Sequence, residues 1–151
     1  MSPRPRYLRD LVVQYIPSRH SATAIYDGPI STAERAASIF LPRLQHEPQE
    51  VLAALYLDAK HQVLGYREVH RGTLNGVEVA PRDVFMPALL ASAHGIIIAH
   101  NHPSGDPTPS PDDLLLTARL RAAADLLDIE LYDHLIIGDG RYLSFKETGR
   151  L

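Results

Sequence analysis

The sequence predicts an α/β chain of the α+β type: a mixed, mostly antiparallel sheet with helices packed on it. Three observations lead there. Segments with helical apolar spacing alternate with short runs rich in β-branched residues. Several connections between these runs are too short for parallel crossovers. The 151 residues, 45% apolar and 22% charged, match the composition of a soluble domain that buries one core without disulfides. Residues 1–28 read as an N-terminal arm with no readable element, and residues 29–151 as one domain.

In the arm, Arg4, Arg6 and Arg9 suggest a solvated basic stretch, and Leu11-Val12-Val13 the start of a short strand or helix. Ser31-Thr32-Ala33-Glu34 has the pattern of a capping box, with Ala36, Ala37, Ile39, Phe40 and Leu44 at helical spacing behind it, so residues 32–45 form a first helix. Val51–Leu57 is apolar without alternation, as a central strand covered on both faces would be. Residues 62–70 follow as its hairpin partner. Asn75-Gly76 is a strong hairpin-turn signal, with Val77-Glu78-Val79 at most an edge strand. Pro81 suits the first turn of a second helix that turns Val84, Phe85, Ala88, Leu89 and Ala91 inward, with Pro87 as a potential kink. Ile96-Ile97-Ile98-Ala99 is a buried strand ending at His100-Asn101-His102. Ser110-Pro111-Asp112-Asp113 opens a third helix with a polar cap, Pro at its first position and two acids where the dipole favours them. That helix runs through Leu114, Leu115, Ala118, Ala122 and Leu126. Residues 131–137 and 142–145 are strands around an Asp139-Gly140 turn.

Composition excludes several function classes. With no cysteine, disulfides, thiolate catalysis and Cys-based metal sites are ruled out, so a metal would have to be held by nitrogen and oxygen. The formal charge of −3 provides no global basic field for nucleic acid. The N-terminus is basic and Pro-interrupted, unlike a signal peptide or anchor, and no apolar run approaches the roughly 20 residues of a membrane span. A cytoplasmic protein with no membrane association is expected. No His-Glu-x-x-His, Walker A or Gly-x-Gly-x-x-Gly motif occurs.

Eight histidines remain to be placed. Side chains two apart on a strand project to the same side, so His100 and His102 can chelate one ion. Asp113, on the first turn of the third helix, is the obvious third ligand. Pro103, Pro107, Pro109 and Pro111 stiffen the connection and lower the entropy cost of holding loop and helix against the strand. Alone, Ser110-x-x-Asp113 reads more readily as a helix cap, and the His pair as strand-end decoration. Together they favour a metal.

The segment His100-x-His102, seven residues, Ser110-x-x-Asp113 resembles the JAMM (JAB1/MPN+) metalloprotease signature. His100-Asn101-His102-Pro103-Ser104-Gly105-Asp106 resembles the signature of the bacterial RadC family, as do Arg71-Gly72-Thr73-Leu74, Pro81-Arg82-Asp83-Val84-Phe85 and Asp133-His134-Leu135-Ile136-Ile137-Gly138. The resemblance covers roughly residues 30–147. It is closest to short, stand-alone members without the helix-hairpin-helix region of full-length ones. It implies a JAB/MPN, cytidine-deaminase-like architecture, with His100, His102 and Asp113 holding one Zn²⁺ and leaving a position for water.

It also implies an upstream glutamate as general base. Glu50, just before the first strand, is the choice; Glu68 is the runner-up, and Glu47 lies too far into the preceding loop. Ser110 would donate to the developing oxyanion, a role that competes with helix capping for its one proton. Asn101, on the opposite face, ties down the loop; Ser104 and Asp106 stabilise it. Asp133-His134 reads as a satisfied polar pair in preference to a partner of the ligands. His20, His46, His61, His70 and His94 have no partner at metal spacing and are taken as surface.

The expected function is zinc-dependent hydrolysis of an amide or isopeptide bond in a peptide or protein substrate. The alternatives are a DNA-associated repair or recombination factor and a non-catalytic interaction module. Against DNA stand the acidic balance and the 7% aromatic content; in its favour are the arm arginines with Arg71 and Arg82.

Overall fold

A computed structural model describes residues 12, 14, 28–74 and 78–151. The arm expected over residues 1–28 and the Asn75-Gly76 turn therefore lie almost wholly outside the described residues. Glu78 and Val79 have no strand conformation, so the edge strand expected there is absent from the described part, although Val79 is buried.

The elements run α1 (Ala33–Leu44), β1 (Val51–Leu57), β2 (Val63–Arg71), α2 (Pro81–Leu90), β3 (Gly95–Asn101), α3 (Pro111–Leu126), β4 (Glu130–Ile137) and β5 (Tyr142–Ser144). One five-stranded sheet has the order β2-β1-β3-β4-β5. Every neighbouring pair is antiparallel except β3 and β4, which are parallel and joined through α3. The sheet is thus mixed and mostly antiparallel, as expected, and its one parallel neighbouring pair joins the strand that ends in the histidines to the strand that carries Asp133-His134.

Strand alternation divides the core in two. Leu52, Ala54, Tyr56, Ile96, Ile98 and Leu131 pack with Val84, Phe85 and Ala88 of α2 and Leu116, Leu120 and Ala124 of α3. The residues between them, Ala53, Leu55, Leu57, Ile97 and Ala99, pack with Ala36, Ala37, Ile39, Phe40 and Leu44 of α1. Every residue of β1 is buried, which is why its sequence has no polar alternation.

Three local expectations are corrected. The α1 cap is Thr32, whose Oγ1 accepts from Arg35 N at 3.1 Å, one residue later than the Ser31-based pattern suggested. On α2, Leu89 faces solvent while Val84, Phe85 and Ala88 are buried; the helix continues through Pro87. On α3 the buried stripe is Asp113, Leu116, Thr117, Leu120 and Ala124, and the residues by which the helix was read, Leu114, Leu115, Ala118, Ala122 and Leu126, lie on the exposed side.

Asn101, at the end of β3, ties down the loop before β1 in place of the proline-rich loop expected from the sequence. Its Oδ1 accepts from Val51 N at 2.7 Å, and its Nδ2 donates to Gln49 O at 2.9 Å and Glu47 O at 3.2 Å. The residue is buried, so losing the amide would strand backbone groups away from water. Asn101→Ala is expected to destabilise the fold by roughly 2–3 kcal/mol, measured as a lower urea midpoint at unchanged slope.

Candidate metal centre

His100 is the sixth residue of β3, on the α2/α3 side of the sheet and fully buried. His102 follows the strand's end, yet its backbone N still donates to Ile137 O at 2.9 Å, continuing the β3–β4 ladder, so both imidazoles leave from the same face. Asp113 arrives from α3. A reciprocal cap forms there: Ser110 Oγ accepts from Asp113 N at 3.1 Å, and Asp113 Oδ2 accepts from Ser110 N at 2.8 Å. The same carboxylate therefore caps α3 and faces the two histidines.

The three groups converge. His100 Nε2 lies 3.1 Å from His102 Nε2 and 3.2 Å from Asp113 Oδ1, and His102 Nε2 lies 3.1 Å from Asp113 Oδ2. Among the described residues this is the one cluster of at least three histidine or carboxylate groups close enough to share an ion. Donors at about 2.0–2.1 Å from a tetrahedral ion are about 3.3 Å from one another, so the spacing fits. The chemistry fits too. His102 Nδ1 is 2.8 Å from the Asp106 carbonyl, which can only accept, so the neutral ring carries its proton there and turns a bare Nε2 toward the carboxylate. A lone pair facing a carboxylate calls for a cation between them.

A proton on the His102 ring answers the same carboxylate that would face a metal ion. The Asp113 carboxylate, accepting from a protonated His102 ring, raises the His102 pKa against the cost of burial, with the Asp106 carbonyl and the charges of Asp113 and Glu50 adding to it. Burial pushes the Asp113 carboxyl up, but the His100 and His102 hydrogen bonds, the His100 charge and the Ser110 N–H together hold it well below the usual carboxylate range.

Glu50 lies immediately before β1 and is half-buried. The β1–β3 register pairs Leu52 with His100, so Glu50 precedes β1 at the end of the sheet where His102 follows β3, and its charge acts on His102. Glu50 Oε2 accepts from Leu74 N at 2.9 Å, which leaves Oε1 for other partners, and the Glu50 carbonyl accepts from Gly72 N at 2.8 Å. Glu68, the runner-up, is exposed and paired with Arg71, and the same guanidinium pairs with Glu47.

Ser110 is half-buried beside Asp113. Its capping bond uses an oxygen lone pair, not the hydroxyl proton. The competition expected between capping and oxyanion donation therefore does not arise.

Two residues of the centre were not read as such from the sequence. His134 was expected to be an independent polar pair with Asp133, but its Nε2 is 2.7 Å from His100 Nδ1, and Thr117 Oγ1 is 2.6 Å from its Nδ1. Complete burial holds the His134 pKa well below the ordinary histidine value, the nearby His100 adding in the same direction, so the ring is neutral. Asp133 turns the other way, to Ser144 Oγ at 2.6 Å and to the backbone N of His134 and Lys146. Of the remaining histidines, His46 and His94 are exposed and His61 and His70 half-buried, none in the cluster; His94 Nδ1 bonds Tyr132 OH at 2.7 Å, and His20 lies outside the described residues.

The loop between β3 and α3 docks on the turn after β4. Asp106 Oδ1 accepts from Thr108 N and Oγ1, and Asp106 N donates to Ser104 Oγ, the loop-stabilising roles expected of both. Gly105 O accepts from Asp139 N at 3.0 Å, and a Cβ on Gly138 would lie 2.4 Å from that same oxygen.

Fold and cluster together define an α/β domain of JAB type with a candidate His-His-Asp metal site. The chain belongs to the RadC-like JAB domain family, whose sequence profile matches residues 30–150. It is 45% identical over 139 residues to a UPF0758 protein of Xylella fastidiosa, covering 89% of this chain and 60% of that protein. A UPF0758 protein of Clostridium perfringens is 48% identical over 118 residues, 78% of this chain and 52% of its own length. One from Methanosarcina mazei is 43% identical over 120 residues, 80% and 52%. The chain thus spans little more than half the length of these relatives. Among the described residues no helix is long and apolar enough to cross a membrane.

Gly138→Ala forces backbone against backbone, where neither side can yield as a flexible side chain would. It is expected to cost about 1–3 kcal/mol and to weaken divalent-metal binding by displacing the segment that carries His102, read by thermal unfolding and by metal titration of the same sample.

Proposed function

We propose that the chain is a zinc-dependent hydrolase of amide or isopeptide bonds in a peptide or protein substrate. The observation that carries this reading is the convergence of two imidazole nitrogens and one carboxylate, with the charge of Glu50 acting on His102. Two neutral imidazoles and a single carboxylate, with no sulfur, form a set that zinc accepts in catalytic sites with one position left open. Zinc held by His100, His102 and Asp113 supplies Lewis acidity, which polarises a carbonyl and acidifies water.

The chain's own residues do the rest. Glu50, anchored through Oε2 on Leu74 N, uses Oε1 to take the proton of the attacking water and then delivers it to the departing amine. Ser110 directs its uncommitted hydroxyl proton toward the oxygen on which negative charge develops, while its lone pair keeps α3 capped. Asp113 stays ionised because the imidazoles and the Ser110 N–H favour its charged form.

Of the residues cited for DNA association, Arg71 is tied to Glu47 and Glu68, Arg82 is exposed on α2, and Arg4, Arg6 and Arg9 lie outside the described residues.

Two measurements test the proposal. Protein purified without added zinc should contain about one metal per chain in the wild type and almost none in His102→Ala; a wild type with neither bound metal nor affinity for zinc would falsify it. Against a library of peptides and isopeptides, Glu50→Gln should keep its metal and lose roughly 100-fold or more in cleavage rate. Equal cleavage by the two proteins removes Glu50 from the mechanism.

A further inference from the structure

We propose that Thr117 and His134 are positioning residues that lock His100 in the tautomer required of a metal ligand, through a buried relay that begins on the backbone of Asp113. The inference rests on the reading of His100 as a ligand. Its direction follows from which groups can donate.

Thr117 Oγ1 is 2.8 Å from the main-chain carbonyl of Asp113, which can only accept, so the hydroxyl proton points there. With its proton committed, the same oxygen accepts at 2.6 Å, and His134 Nδ1 carries a hydrogen. A neutral imidazole protonated on Nδ1 has its lone pair on Nε2. That nitrogen lies 2.7 Å from His100 Nδ1, so His100 donates, and its own Nε2 is left bare toward Asp113 and His102. Thr117, His134, His100 and Asp113 are all buried, so solvent offers no substitute partner at any step.

A threonine bonded to the carbonyl four residues back is ordinary helix behaviour; its second bond, to a ring that touches a ligand, is not. Phe145 holds that ring in place, stacked on His134 with centroids 4.6 Å apart, while its backbone N donates to His134 O at 2.9 Å. The relay closes a ring: it starts on the main chain of one ligand, Asp113, and ends on another, His100, whose Nε2 faces the carboxylate of the first. It also differs in charge from the common arrangement in which a carboxylate supports a ligating histidine. The acceptor here is a neutral imidazole, so the support of His100 adds no negative charge to the site.

The test uses the whole chain. In the metal-free wild type, nitrogen-15 chemical shifts should place the proton of His100 on Nδ1 and that of His134 on Nδ1. Zinc affinity, measured by competition with a chromophoric chelator, should fall about 10–100-fold in His134→Phe and by a smaller factor in Thr117→Val. His134→Gln, whose amide can accept from His100 and donate to Thr117, and Thr117→Ser should recover most of it.

A metal-free wild type with His100 protonated on Nε2 and bare at Nδ1 overturns the relay, as does a folded Thr117→Val or His134→Phe that binds zinc as tightly as the wild type. Should the wild type take up no zinc, the hydrolase reading fails separately, while the tautomers of the metal-free chain still decide whether the relay exists.

Discussion

The side-chain amide of Asn101 is the interaction on which the rest of the site depends. A strand sends successive side chains to opposite faces, so the residue between two histidines that point into the site must point away from it. Asn101 uses that position to bond Glu47 O, Gln49 O and Val51 N. The strand that presents the imidazoles thereby holds the entry to the strand that follows Glu50. The spacing between imidazoles and carboxylate is fixed at one junction, and the loop before β1 is not left to find its own place.

The second constraint is the start of α3. Helix capping needs a side-chain oxygen at the first position and gains from an acid three residues on. A metal site needs a carboxylate with a defined direction. Asp113 meets both needs because one oxygen accepts from Ser110 N and both face imidazole nitrogens. Local secondary structure and site geometry reinforce one another here, and the proline-rich loop between them docks on the turn after β4 through contacts too close for any residue but glycine at position 138.

Much of this was legible in the sequence because it is local. His100-x-His102 is a two-residue relation, Ser110-x-x-Asp113 a three-residue one, and both follow from the geometry of a single element. The central strand showed in its unbroken apolar run, and the sheet class in the short connections. What escaped notice depends on contacts between distant segments. Thr117 and His134 are seventeen residues apart and meet only because α3 crosses from β3 to a parallel neighbour. No spacing rule links them. The face of α3 was misjudged for a related reason: its leucines and alanines recur on both sides, and only the requirement that Asp113 point inward selects Leu116, Leu120 and Ala124 for the core.

The exposed and buried parts of the centre differ in a way that bears on cellular chemistry. Zinc sites built on thiolates release their metal when oxidants convert the sulfur. The donors assembled here are imidazole and carboxylate, and neither has an oxidation ladder of that kind. Met86, the one methionine among the described residues, lies on α2 and exposed to solvent, so oxidising it would alter the surface and leave the donor set intact. The composition that first removed sulfur chemistry from consideration leaves a candidate centre whose donors do not change with the redox poise around it.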